Sequence, residues 1–336
     1  MPDGRRIRPR RVLVRLGAAL ALLTAVALPA PANAQTVFEI YCTPTVAGLE
    51  ELSGLSVGTD GTIFAIGDSG TDEQLAVLDP ECALQRWLPN PVDPLDTEDL
   101  AVHGGSLWLA DIGDNSRRRP TVALVRMNPV DGAGELHRLS YPDGAHDAET
   151  LLVGADGKPV LVTKEFSGAN RIYASDTPVT ALPTPGPAPL AQRGDIELGD
   201  GPDAALITGG AVTDDGKVVA LRTYSHVYLF DAPDGDIVAA LTRTPVEVQL
   251  PAQPQGEAIA FLPSGDLLVA SEVGGAGTGA LPPMHVLRGA AGLVSPSAGS
   301  VAVQFEWVQL AAVAAGVLML TVGTWWLLRR RRLPAR

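Results

Sequence analysis

Cysteine is almost missing from this chain of 336 residues: only Cys42 and Cys82 occur. Two cysteines cannot build a disulfide-dense scaffold or a four-cysteine zinc site, and these two stand too far apart in sequence for a redox pair of the Cys-x-x-Cys kind. Histidine is sparse as well, and neither His103 nor His285 stands in an acid–nucleophile spacing. No nucleophile elbow joins a strand to a helix, and the Gly-rich run Gly274–Gly279 has no helix after it to make a phosphate loop. Positive charge is scarce in the middle of the chain. Eleven of the 25 basic residues lie in the first 34 residues and the last eight, which leaves the stretch Gln35–Leu328 strongly acidic. That balance disfavours nucleic acid and anionic surfaces as partners and favours cations, whether metal ions or basic ligands.

Long apolar runs are confined to the two ends. Residues 1–34 read as a signal peptide: an arginine-rich start, the apolar run Leu16–Leu28, then Pro29, Pro31 and the small-x-small site Ala32–Ala34. An uncleaved anchor is the alternative, and the export route stays open. At the other end Val308–Leu328 is 21 residues without charge, long enough at about 1.5 Å per residue to span a bilayer core of about 30 Å. Trp307, Trp325 and Trp326 stand at its ends, and Arg329–Arg332 follow at once. Aromatic ends and a basic flank predict a transmembrane helix over 308–328 with a basic cytoplasmic tail over 329–336. The chain is thus expected to be a single-pass type I protein of the cell membrane with its ectodomain outside. Residues 290–307 are rich in Ser, Gly and Ala and read as a linker. Outside the cell the two cysteines are expected to pair, tying the N-terminal strand to the first repeat.

What is abundant is one repeated unit. Thr97–Asn115, TEDLAVHGGSLWLADIGDN, reads as an acid, a short apolar strand, a Gly-Gly turn, a second strand and an Asp-rich end. The unit returns around Glu51, Glu149, Thr208 and Glu257. Aligned on the turn glycines, one column holds Ser53, Glu98, Glu149, Thr208 and Glu257. A recurrence of about 50 residues with about four strands per unit predicts an all-β fold, a β-propeller over residues 36–289. A sandwich of similar hairpins is the competing arrangement. Five blades are expected, or six if the long third repeat holds a degenerate blade. The fifth repeat lacks an outer strand, and Val37–Cys42 is an unpartnered strand that would close the ring.

On such a fold the aligned column faces the central channel. A second column follows each second strand: Asp68, Asp111, Asp114, Glu165 and Glu272, with Lys164 and Arg222 at the position of Asp111 in repeats three and four. Together they predict a ring of hard oxygen donors with two cations at one side. Ca²⁺, which takes six to eight oxygens, suits such a ring, with Glu98, Glu149, Glu257, Asp111, Glu165 and Glu272 as candidate metal ligands. Lys164 and Arg222 are candidate ligand-binding cations. His146, beside Asp147 and Glu149, is the one suggestively placed histidine. The competing reading makes these acids acceptors for turn amides and channel water.

The blocks DIGDN (Asp111–Asn115), HDAETLLV (His146–Val153), LRTY (Leu221–Tyr224) and QGEAIAF (Gln255–Phe261) resemble those of bacterial secreted propellers with an esterase-like phytase domain. The repeat is also similar to lactonase and NHL-type propellers. The first resemblance implies calcium in an acidic channel and hydrolysis of phosphate esters. The sequence lacks a dense Lys/Arg cluster for a polyphosphate, so phytase catalytic residues do not carry over. Two functions follow as expectations. One is a cell-surface binding or scaffold module with an unknown extracellular ligand or protein partner. The other is a calcium-dependent hydrolase of phosphate esters or lactones.

Overall fold

A computed structural model describes residues 37–294, apart from Ser69 and residues 276–278. The expected signal peptide and the expected span over 308–328 lie outside the described residues. Among the described residues no helix is long and apolar enough to cross a membrane.

Short apolar runs separated by Gly and Asp turns fold into five antiparallel sheets. Blade one is Leu52–Val57, Ile63–Gly67, Gln74–Leu78 and Leu84–Pro89. Blade two is Thr97–His103, Ser106–Asp111, Val122–Met127 and Gly134–Ser140. Blade three is Ala148–Val153, Pro159–Thr163, Asn170–Ala174 and Ala191–Ile196. Blade four is Ile207–Val212, Val218–Thr223, His226–Asp231 and Val246–Gln249. Blade five is Gln255–Phe261, Leu267–Glu272, Met284–Leu287 and, from the start of the chain, Glu39–Cys42. Within each blade the strands meander outward in sequence order, except for that last strand. The tight turn His103–Ser106 shows the local rule. Gly104 and Gly105 both take positive φ (60° and 74°), as a two-residue hairpin matched to strand twist requires.

Each inner strand neighbours the inner strands of the blades before and after it, and blade five returns to blade one. The chain is a closed five-bladed propeller. The six-blade alternative is overturned by the pairing of the long third repeat. Its Pro-rich stretch forms one 3₁₀ turn, Val179–Ala181, and a two-residue strand, Ala188–Pro189. That strand lies parallel to the outer strand of blade two. The extra chain covers a sheet edge instead of making a blade.

There is no single core. Five apolar wedges fill the gaps between neighbouring blades. Between blades one and two, Phe64, Ile66, Leu75 and Val77 meet Leu100, Leu107, Leu109 and Val125. Both faces of most strands are therefore buried, which is why second strands such as Ser106–Asp111 read as continuous apolar runs. The turn Ala290–Leu293 adds to the wedge between blades four and five.

The ring closes where expected. Glu39–Cys42 pairs antiparallel with Met284–Leu287. Cys42 is bonded to Cys82 in the outer turn of blade one, with Cα atoms 6.0 Å apart. Only four residues hold the closing strand, so the crosslink matters. Replacing both cysteines by alanine should lower stability by about 2–4 kcal/mol. Thermal melts of the two forms check this, and equal midpoints would refute it.

Candidate functional site

Every inner strand carries a β-bulge at the same place. The register against the second strand slips between Leu52 and Gly54, Thr97 and Asp99, Ala148 and Thr150, Ile207 and Gly209, and Gly256 and Ile259. The residues skipped include Ser53, Glu98, Glu149, Thr208 and Glu257, the aligned column of the repeat. A bulge re-aims the extra side chain out of the alternation that would send it into a wedge between blades. The ring of residues is thus a ring of bulges at one end of the channel.

The two hydroxyls of this ring join blades. Ser53 Oγ donates to the Glu98 carbonyl at 2.7 Å, and Thr208 Oγ1 donates to the Gly256 carbonyl at 3.0 Å. The three carboxylates remain for the channel mouth, and all are buried. Ser53 also reaches Glu98 Oε2 at 3.3 Å. Asp96 crowds in beside Glu98. A methyl group on Gly113 would overlap both carboxylates, so a glycine is needed there. Glu257 Oε1 receives the Tyr224 hydroxyl at 3.3 Å. Lys164 Nζ lies 2.5 Å from Glu149 Oε1 and 3.9 Å from Glu257 Oε1. The other Glu149 oxygen, Oε2, is buried with no hydrogen-bond partner among the described residues.

Toward the far end of the channel Ser56, Val102, Val153 and Asp214 are among the residues around a small cavity of about 50 Å³. At the mouth, burial and like charge raise the proton affinities of the acids. Burial and the charges of Glu149, Asp96 and Glu257 hold Glu98 well above the carboxylate range. Burial does the same to Glu149, against the pull of Lys164. Asp96 is pushed up to about 6 by burial and Asp147. Asp68 is pushed up to about 7 by burial and by Glu257 and Glu51. Glu272 rises to about 11, from burial and then Glu257.

One trio has the geometry of a cation site. Oxygens of Glu51, Asp68 and Glu272 all lie within 4.8 Å of one another. Ligands about 2.4 Å from a shared Ca²⁺ can be at most about 4.8 Å apart, so these hard oxygens fit that ion. Gln255 Nε2 donates to Glu272 Oε1 at 2.8 Å and holds it in place.

Of the six expected metal ligands, only Glu272 belongs to this trio. Glu98, Glu149 and Glu257 surround the same mouth. Asp111 is engaged elsewhere: Arg119 pairs with it at 2.8 Å, and its Oδ1 accepts the Asp96 amide at 3.0 Å. Glu165 pairs with Arg117 at 2.7 Å. His146 lies between blades two and three, with Nε2 2.9 Å from the Tyr173 hydroxyl and 3.1 Å from Asp143. Arg222 is wholly buried and donates to the carbonyls of Ala258 at 2.8 Å and Ala270 at 2.9 Å, and to Gln253 Oε1 at 3.0 Å. It braces blade five against blade four. Asp68 stands in the second column of the repeat and Glu51 just before the first, though neither is among the six expected ligands. Tyr224 and Gln255 carried no sequence signal beyond the motifs LRTY and QGEAIAF.

A larger cavity, about 980 Å³, opens on the opposite face among the hairpin turns, near Phe64, Val102 and Val130. Of its carboxylates, Asp60 and Asp79 accept from turn amides of their own loops.

No family model matches the chain, and no curated protein matches it. Solved structures similar to it include a Xanthomonas campestris gluconolactonase, at 14% identity and a TM-score of 0.40, covering 70% of this chain and 71% of that one. A luciferin-regenerating enzyme matches at 13% identity and 0.39, covering 73% and 93%. The PQQ-bound aldose sugar dehydrogenase of Streptomyces coelicolor matches at 9% identity and 0.43, covering 75% and 97%. The five blades of this chain rest on its own strand pairing.

Proposed function

We propose that the acidic mouth is a divalent-cation site serving hydrolysis of a small ester or lactone. The observation that carries this reading is the trio Glu51, Asp68 and Glu272 beside a buried, mutually repelling set of carboxyls. Bringing these acids together is costly without a cation, and a passive docking platform gives no reason to bury them. Ca²⁺ is the ion that hard, crowded oxygens favour. When bound, it would polarise the ester carbonyl and lower the pKa of a bound water.

The rest of the chemistry belongs to the side chains. Once a bound cation offsets the burial and repulsion that raise its proton affinity, Glu149, with one free buried oxygen, is placed to take a proton from the attacking water. Lys164 stands beside it and is placed to hold the developing oxyanion. Tyr224 orients Glu257. Lys164 is itself balanced by Glu149, which disfavours a polyphosphate and favours an uncharged reacting group.

The test is calorimetric titration of the purified protein with Ca²⁺, followed by lactone and ester assays with and without chelator. Saturable heat that Glu272→Gln removes, with hydrolysis lost in chelator, is expected. Hydrolysis that survives both chelator and Glu149→Gln would overturn the reading. Absence of any divalent-ion binding would remove the cation from it.

A further inference from the structure

Positive charge at the mouth is concentrated on blades two and three. The trio of acids lies on blades five and one. On the opposite side the loop Asn115–Arg119 of blade two brings three arginines to the rim next to blade three. The sequence places them side by side, but only the fold sets them against Lys164. Burial raises the proton affinity of Asp147, and the charges of Lys164 and Arg117 both act against that rise. Asp147 Oδ1 also accepts the Asp114 amide at 2.8 Å, which joins the two blades.

The arginine loop is held in shape from within. Asp114 Oδ2 accepts the amides of Arg118 and Arg119, each at 2.6 Å. The Arg117 amide closes the turn onto the Asp114 carbonyl at 2.7 Å. Arg117 itself sits at φ 52°, a left-handed conformation that is uncommon for a residue with a side chain. Strain of this kind is kept where the surroundings over-determine it, often at binding sites.

The three guanidinium groups differ in what they have left to offer. Arg119 spends both terminal nitrogens on Asp111 and on the carbonyls of Gly113 and Asp111, and its Nε is buried. Arg117 shares its charge with Glu165 but stays 43% exposed. Arg118 is exposed, and among the described residues its guanidinium has no partner. Beside Glu165, Phe166 is 82% exposed, the most exposed large apolar side chain among the described residues. The Arg117–Glu165 ion pair at 2.7 Å thus joins two loops, one carrying the free guanidinium of Arg118 and the other the bare ring of Phe166. The residual positive charge matches one negative charge, not several.

Resting on the hydrolase reading for its site, we infer that the substrate carries a single carboxylate next to an apolar group. Arg118 and Arg117 hold the carboxylate at the rim, Phe166 packs on the apolar group, and the ester reaches inward toward the acids. Guanidinium forks suit carboxylates, and a second negative charge would meet the acidic mouth unpaired. Arg117, Arg118 and Phe166 are then specificity residues, not catalytic ones.

The probe is phenylacetate, titrated calorimetrically into the purified full chain at low salt with no metal added. Low salt matters because exposed charges are screened within about 10 Å at 0.1 M. Saturable binding is expected, with phenylacetamide, its uncharged analogue, binding at least about tenfold more weakly. Arg118→Gln removes a guanidinium with no native partner, so the fold is kept; it should weaken phenylacetate severalfold. Adding Arg117→Gln should bring the loss to about tenfold, and Phe166→Ser should weaken it independently. Where hydrolysis is measurable, the ratio of kcat/KM for a carboxylate-bearing lactone to that for an uncharged one should fall about tenfold in the double variant. The inference is overturned by absent binding, by equal binding of phenylacetamide, by variants that bind as the parent does, or by tighter binding of phenyl phosphate. Since the probe needs neither metal nor turnover, its failure is distinct from failure of the hydrolase reading.

Discussion

In chelator, the melting temperature should fall steadily as pH rises from 5 to 8, and Ca²⁺ should restore it at the upper end. The carboxyls at the mouth hold protons more tightly in the folded chain than in the unfolded one. Asp68 rises from the ordinary carboxylate range to about 7, Asp96 to about 6 and Glu272 to about 11. Glu98 and Glu149 are raised as well. Between the unfolded values near 4 and these folded values, the native state binds more protons, so stability declines with rising pH. Their contribution is intact below about pH 4 and is lost as pH passes each folded value. Asp68 and Asp96 are half-buried, so solvent weakens the effect of both. A net fall of roughly 10 °C across this window is expected for a domain of this size. A bound cation reverses the sign, because it requires the ionised ligands. At a hundredfold excess over Kd, Ca²⁺ adds about 2.7 kcal/mol, and its affinity should climb with pH as the trio deprotonates. Differential scanning calorimetry at stepped pH, with chelator or Ca²⁺, measures both arms. A flat profile in chelator would mean that the acids are ionised and balanced without a cation.

Arg222→Met should be the most damaging single change near the mouth. The side chain is wholly buried, and burial lowers its pKa to about 9, so it still carries its charge at neutral pH. Its removal orphans the carbonyls of Ala258 and Ala270 and the Gln253 oxygen. Each unsatisfied buried acceptor costs about 1–3 kcal/mol, so a total loss of about 3–5 kcal/mol is expected. Chemical denaturation of the two forms measures this. An arginine whose role was ligand binding would behave otherwise: its loss would weaken a ligand and leave the denaturation midpoint in place. A midpoint within about 0.5 kcal/mol of the parent would sink the bracing role.

Gly256 explains why that role could not be read from the pattern LRTY. The Arg222 guanidinium lies where a Cβ on Gly256 would be, so the fit is between two blades about thirty residues apart in sequence. Asp111 and Glu165 teach the same lesson. Both stand in the expected column after the second strand, yet Arg119 and Arg117 engage them. Sequence spacing places a carboxylate at the end of a strand; it does not say which loop will lean over it.

The sequence by itself determined the repeat, its period, the strands, the disulfide pair and the closing strand Glu39–Cys42. These follow from short-range physics: alternation of apolar residues, Gly and Asp turns, and the need to cover a free edge. It also determined which column would face the channel, because a carboxylate or a hydroxyl recurs at one offset in each unit. The tertiary structure alone decided five blades over six, since only pairing shows that Ala188–Pro189 covers blade two instead of starting a blade. It decided that the column sits on bulges, which turn Glu98, Glu149 and Glu257 out of the apolar wedges. It also decided which acids meet: Glu51, Asp68 and Glu272 converge only when blade five closes against blade one. Such convergence depends on contacts some two hundred residues apart, where no local periodicity carries a signal.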